Sequence, residues 1–250
     1  MLQQFQVPSI LLGLFLRKFE PGDMKKLSET LPWRLPEFDG EVAVNRQLPQ
    51  NAPADVPRVA FMSKDRRKVI EIAPAKLQFR CVPGELVPGE NNQMGLKTVQ
   101  FDAAMETFAP LALKVHSVFS EHYGLTANRI GVLTEFLAGT GGSANQRMHQ
   151  HLLAGRDLLG ERFQELQINA LTRITLGNGR GANRWLRIGT IRGGQDGQSD
   201  VAMRIEADVN TLQEDTYDLS AADIEGFIGD VRTHLSEKVP FFNNEELFKS

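Results

Sequence analysis

Residues 7–16, VPSILLGLFL, form the longest apolar run in the chain. A helix that crosses a bilayer needs about 20 apolar residues, so this run is too short to span a membrane in that way. No basic segment precedes it, and RKFEPGD follows where a secretion signal would carry a small-residue cleavage site. A run that is apolar at both odd and even positions reads instead as a buried strand. Such a strand is central and covered on both faces, or set at a subunit interface. The reading implies a cytoplasmic protein with no membrane partner, its first strand reaching to about residue 19.

The segments that follow alternate between strand and helix patterns. A Pro21-Gly22 turn opens a short helix with Met24, Leu27 and Leu31 on one face, and residues 41–47 read as a strand. LPQNAPADVP has no apolar period and is an extended connection. RVAFMS and KVIEIAPAKLQFRCV flank a polar turn at residues 64–67, with Pro74 bulging or breaking the second strand. PGELVPGENNQMG reads as a loop. Phe101, Met105, Phe108, Ala112, Val115 and Phe119 then recur every three or four residues, which is the stripe of a long core-facing helix with Pro110 inside it.

Residues 127–137 read as a strand. After it come the glycine cluster GTGGS, a less regular helical stretch, and three strands, ELQINALTRITL, RWLRIGTIR and VAMRIEADV. Their joints, GNGRGAN and GGQDGQSD, are rich in residues that accept positive φ. Ser220 and Asp223 mark the start of a last helix with Ile224, Phe227, Ile228, Val231 and Leu235 on its apolar face, closed by Pro240. The order strands, long helix, strands, long helix predicts an α+β fold. In that fold two antiparallel sheet regions are each backed by a long amphipathic helix, an arrangement compatible with a strand–strand–helix repeat. The halves divide at residues 1–138 and 139–250 and are expected to form one compact unit.

Composition narrows the chemistry. A 41% hydrophobic, 24% charged chain of 250 residues with net charge −3 is globular, with no global field to recruit nucleic acid or anionic membrane. Its single cysteine, Cys81, rules out an internal disulfide and a multi-cysteine zinc site, and its neighbours offer nothing to activate a thiol. The glycine cluster has no lysine where a phosphate-binding loop needs one, and Gly139, Gly141 and Gly142 do not match the dinucleotide spacing. It reads as a flexible turn between the halves. His149 and His151 stand two apart and cannot share a metal on a helix, while His116, His122 and His234 are scattered. Ser143 lacks the following glycine of a nucleophile elbow. The acidic pairs Glu245-Glu246 and Asp215 with Asp218 read as surface charge. No catalytic residue, metal site or cofactor is assigned, and the chain leans away from being an enzyme.

One enrichment stands out. Arg173, Arg180, Arg184, Arg187, Arg192 and Arg204 fall in the three-stranded meander, with Trp185 among them. Arg173, Arg184, Arg187 and Arg192 are the candidate binding residues, for phosphate or a nucleic-acid backbone. Alternation puts Arg184 and Arg192 on one face and Arg187 on the other. The competing and favoured reading is a sheet face on which carboxylates such as Glu206 and Asp208 pair with these arginines.

Four segments also resemble a sporadically distributed bacterial family of about this length whose function is uncharacterised. They are VPSILLGLFLRKF, KVIEIAPAKLQFRCV, FAPLALKVHSVFSEHYGLTANRIGV and DIEGFIGDVRTHLSEKVPFFNNEEL. The resemblance implies a fold and no activity. The leading expectation is a non-enzymatic binding or assembly module. It would self-associate, a homodimer being the simplest case, or join a bacterial multi-protein system such as host defence, with the first strand and the terminal FFNNEELF as contact surfaces. The alternative is a nucleic-acid or phosphorylated-ligand binder using the arginine-rich meander.

Overall fold

The computed structural model describes residues 5–17, 21–44, 48–49, 51–88, 94–139, 144, 148, 167–193, 199–214 and 217–242. In chain order these form β1 (Gln6–Leu16), α1 (Pro21–Arg34), a 3₁₀ turn (Pro36–Phe38), β2 (Val42–Val44), β3 (Val59–Met62), β4 (Lys68–Ala73) and β5 (Lys76–Cys81). Then follow β6 (Glu85–Pro88), β7 (Met94–Lys97), α2 (Phe101–Tyr123), β8 (Ala127–Gly139), β9 (Ile168–Thr175), β10 (Gly181–Gly193) and β11 (Ser199–Thr211). The last two elements are α3 (Ala221–Ser236) and the four-residue α4 (Val239–Phe242).

The expectation of two sheet regions is overturned. Nine strands form one antiparallel sheet in the order β2-β3-β4-β5-β1-β8-β11-β10-β9, and only the β6–β7 hairpin stands apart. The protein is mostly β. The apolar first strand sits in the middle of the large sheet, paired with β5 on one side and β8 on the other, so both of its edges are taken. Neither long helix backs a sheet of its own. α2 packs on β1 and β5, α3 packs on β8, and the two helices pack on each other.

Burial alternates along the central strands. Ile10, Leu12 and Leu14 of β1, Ile130, Val132 and Phe136 of β8, and Met203, Ile205 and Val209 of β11 are buried in one continuous core with the apolar stripes of α2 and α3. The helix-to-sheet contact includes a stacked pair, Phe79 and Phe108, with ring centres 5.6 Å apart, and Phe38 of the 3₁₀ turn meets Phe79 edge-on. α2 runs unbroken through Pro110 and stops at Gly124, whose left-handed backbone (φ 60°) lets its N–H reach the Phe119 carbonyl. α3 starts on a reciprocal capping box. The Asp223 N–H donates to Ser220 Oγ at 3.2 Å, and the Ser220 N–H donates to the Asp223 carboxylate at 2.9 Å. Arg232 of α3 bridges Asp102 and Glu106 of α2, holding the helix pair in register.

Strand order shows an approximate two-fold that the strand–strand–helix unit does not capture. From the centre outward the sheet reads β1, β5, β4, β3 on one side and β8, β11, β10, β9 on the other. Each side is a first strand, helical residues, a three-stranded meander returning to that strand, and a long helix. On the second side the helical residues described before the meander are Ala144 and Met148, both buried. The axis passes where Gly13 faces Gly131. Counting from that pair in chain direction, Leu12-Gly13-Leu14-Phe15 corresponds to Ile130-Gly131-Val132-Leu133.

Smaller expectations change as well. Of the two readings at Pro74 the strand is broken, not bulged, and KVIEIAPAKLQFRCV is the tight hairpin of β4 and β5. The loop after Cys81 contains the β6–β7 hairpin. α3 ends before Pro240, which lies inside α4. Residues 140–143, His149, His151, Asp215 and residues 243–250 lie outside the described residues, as does most of the helical stretch after the glycine cluster.

Candidate functional site

The helices cover one face of the sheet, and no described element covers the other. Register defines the rows of side chains that cross this open face. One row is Arg80, Leu11, Leu133, Asp208, Trp185 and Leu171, from β5 through β1, β8, β11 and β10 to β9. The next is Ser9, Glu135, Glu206, Arg187 and Asn169. On the other side of the first lie Gln78, Gly13, Gly131, Asn210, Asn183 and Arg173. These rows mix partly exposed apolar side chains with charged ones.

The charges are largely matched. Arg187 lies 3.5 Å from Glu206 and 3.7 Å from Asp208, and its guanidinium carbon is 5.9 Å from the Trp185 ring centre. Arg204 joins the same chain, 3.4 Å from Glu206 and 3.8 Å from Glu135, and Ser9 Oγ donates to Glu135 at 3.1 Å. Four strands are thereby linked across the open face by alternating charge. Between Arg187, Arg204 and Glu206 the surface dips into a shallow hollow open to solvent, lined also by Gln167 and Gly189. A hollow open to solvent lacks the enclosing apolar walls of a small-molecule site.

Of the arginines singled out from sequence, Arg173, Arg184 and Arg187 do not converge. Arg187 is in the ion-pair chain. Arg173 projects from β9 on the same face and is 3.3 Å from Glu214. Arg184 pairs with Val209 and Thr172 in positions that face the helices, opposite to Arg187. Arg192 pairs with Asp200 beyond a bulge in the β10–β11 ladder. Of the wider set, Arg180 stacks on Tyr217 at 3.2 Å near the β9–β10 turn.

Sequence reasoning missed a second cationic group. Lys76 and Arg129 flank Phe15 from the two neighbouring strands, at 5.2 and 4.6 Å from its ring centre. Phe15 lies directly opposite both of them in register. The odd positions of the first strand, Ser9, Leu11, Gly13 and Phe15, were the available signal, since they form its less apolar face.

Other candidates lack a site. Cys81 is buried, and burial pushes its thiol up to about 11, so little thiolate forms at neutral pH. His116 is buried in α2, and burial lowers its pKa. Among the described residues no three His, Cys, Asp or Glu side chains gather as metal ligands, and no helix is long and apolar enough to cross a membrane.

Compared with known proteins, the chain matches no family model, no curated protein and no solved structure. What the open face can do is therefore a question of its own geometry.

Proposed function

We propose that the chain is a non-enzymatic assembly module that associates through its sheet. The observation behind this reading is the end of the sheet at β9. Five consecutive residues there, Asn169 to Arg173, are exposed, and the outer edge of the strand has no neighbour among the described residues. A long strand edge presents a row of free N–H and C=O groups to any extended chain that fits it. The partly exposed apolar row on the open face ends at the same strand, on Leu171, which is 50% exposed.

Light scattering on the purified protein tests this. Mass is expected to rise above the 27.9 kDa of one chain as concentration increases. A mass fixed at one chain across the whole range refutes self-association.

The alternative, binding of nucleic acid or a phosphorylated ligand through the meander, requires cations free to meet phosphate. Arg187 and Arg204 are engaged by Glu135, Glu206 and Asp208, which weighs against it. Salt-sensitive binding of DNA or RNA, weakened by Arg187→Ala, would restore it.

A further inference from the structure

We propose that β9 joins two copies of this chain edge to edge, antiparallel, across a two-fold axis at Leu171. The inference rests on the reading of the protein as a self-associating module and names the surface and register.

β9 reads INALTRIT, and its first seven residues are a palindrome in chemical type about Leu171. Folding the strand back on a second copy sets Ile168 against Ile174, Asn169 against Arg173, Ala170 against Thr172, and Leu171 against itself. Apolar residues meet apolar or small ones, and no like charges oppose. Centring the axis one residue earlier or later sets Leu171 against Asn169 or Arg173 instead.

The two faces agree with the same register. Ile168, Ala170, Thr172 and Ile174 stand opposite Ile188, Leu186, Arg184 and Ala182 of β10, so they belong to the helix-covered face. Asn169, Leu171 and Arg173 stand opposite Arg187, Trp185 and Asn183, on the open face. Pairing at Leu171 therefore keeps both helix layers on one side and makes a continuous sheet of two nine-stranded halves.

On the open face the pairing also completes the apolar row. Trp185 and Leu171 are neighbours on β10 and β9, and the second copy continues the row with its own Leu171 and Trp185. Adjacent strands lie about 4.8 Å apart, so these four side chains form one strip across the axis and cover the half-exposed Leu171. In the adjoining row Arg187 stands beside Asn169, and the second copy's Arg173 comes next, extending the polar row without a repulsive step.

The opposite end of the sheet makes the contrast. Among the described residues β2 spans three, the short form by which edges avoid pairing, whereas β9 has eight residues and no proline. Contact through a single strand edge is smaller than a standard interface. The dimer is accordingly expected to form and dissociate with concentration.

Cysteine cross-linking of Leu171→Cys decides the register. The axis sets the two new thiols directly opposite one another, at a Cβ separation of about 4.5–5.5 Å, close enough for a disulfide after small adjustment. The native chain has only the buried Cys81 to compete. Under mild oxidation Leu171→Cys is expected to give a covalent dimer, and Asn178→Cys in the β9–β10 turn is not. Leu171→Lys places two like charges across the axis and is expected to raise the dimer dissociation constant at least tenfold, with the circular dichroism spectrum unchanged. A dimer that resists cross-linking at 171 and survives Leu171→Lys overturns the β9 contact and leaves self-association standing. A protein that is one chain at every concentration overturns both.

Discussion

The two glycines at the centre of the sheet make a sharp test because they occupy equivalent positions and are expected to respond with opposite signs. Gly13 and Gly131 face each other across the β1–β8 seam, and neither has a positive φ. A methyl added at Gly13 would meet the Lys76 Cε at 3.6 Å and the Gly131 carbonyl at 3.9 Å, both ordinary contacts. Alanine there should stabilise by about 0.4–1 kcal/mol, since it narrows the unfolded chain's choices without native strain. At roughly 2–4 °C per kcal/mol for a domain of this size, Gly13→Ala should melt about 1–4 °C higher. At Gly131 the methyl would lie 3.1 Å from the Asn210 Cβ and 3.5 Å from the Val209 carbonyl. Asn210 is the direct cross-strand partner, so β8 and β11 must part by a few tenths of an ångström. Overpacking of this kind costs about 1–3 kcal/mol, which outweighs the same entropic gain. Gly131→Ala should therefore melt lower than the native protein. Calorimetry at one fixed protein concentration measures both, because association alone would shift the midpoint. Equal shifts in the two variants, or a destabilised Gly13→Ala, would refute the assigned geometry of the seam.

Two further predictions follow from buried polar groups. Thr134 is fully buried on the helix-covered face and its Oγ1 has no hydrogen-bond partner among the described residues, so Thr134→Val, which keeps the shape and removes the hydroxyl, should stabilise by about 1 kcal/mol. A loss of stability in thermal or urea unfolding would show that the hydroxyl is satisfied. His116 is buried and its pKa is lowered by burial, so the unfolded chain binds a proton that the folded one refuses. Its contribution is fully present above the unfolded value near 6.5 and falls as pH drops below it. The unfolding midpoint should therefore drop less between pH 7.5 and 5 in His116→Leu than in the native chain. Identical pH profiles would remove His116 as a cause.

The elements of this fold are legible in the sequence where a period is strong. The Phe101–Phe119 stripe, the Ser220–Asp223 cap and the alternation in β8, β10 and β11 each specify local structure and the face it buries. They do not specify neighbours. Period two says which side of a strand is buried, yet β5 and β8 satisfy the pattern of β1 as well as many other strands would, and partner choice is a long-range matter. For that reason two sheet regions looked as consistent with the pattern as one sheet joined at its two first strands. The internal two-fold was hidden for a related cause. Only four consecutive residues around Gly13 and Gly131 keep their chemistry, and the equivalence becomes visible once register pairs those glycines.

Counting residues misdirects site prediction for the same physical reason. Six arginines in a three-stranded meander look like a cationic surface when read along the chain. Across the sheet, register sets Glu206 opposite both Arg187 and Glu135, and Arg204 lies within reach of both carboxylates. A charge that faces its opposite at 3–4 Å is spent on its neighbour and offers little to a phosphate. The apolar residues obey the same rule with the opposite result. Leu171 has Trp185 on its inner side and no described strand on its outer side. The row that runs beside these ion pairs thus ends on an apolar side chain with no described strand beyond it. An unmet requirement at the end of a sheet, rather than a surplus of charge in its middle, is the feature that calls for a second chain.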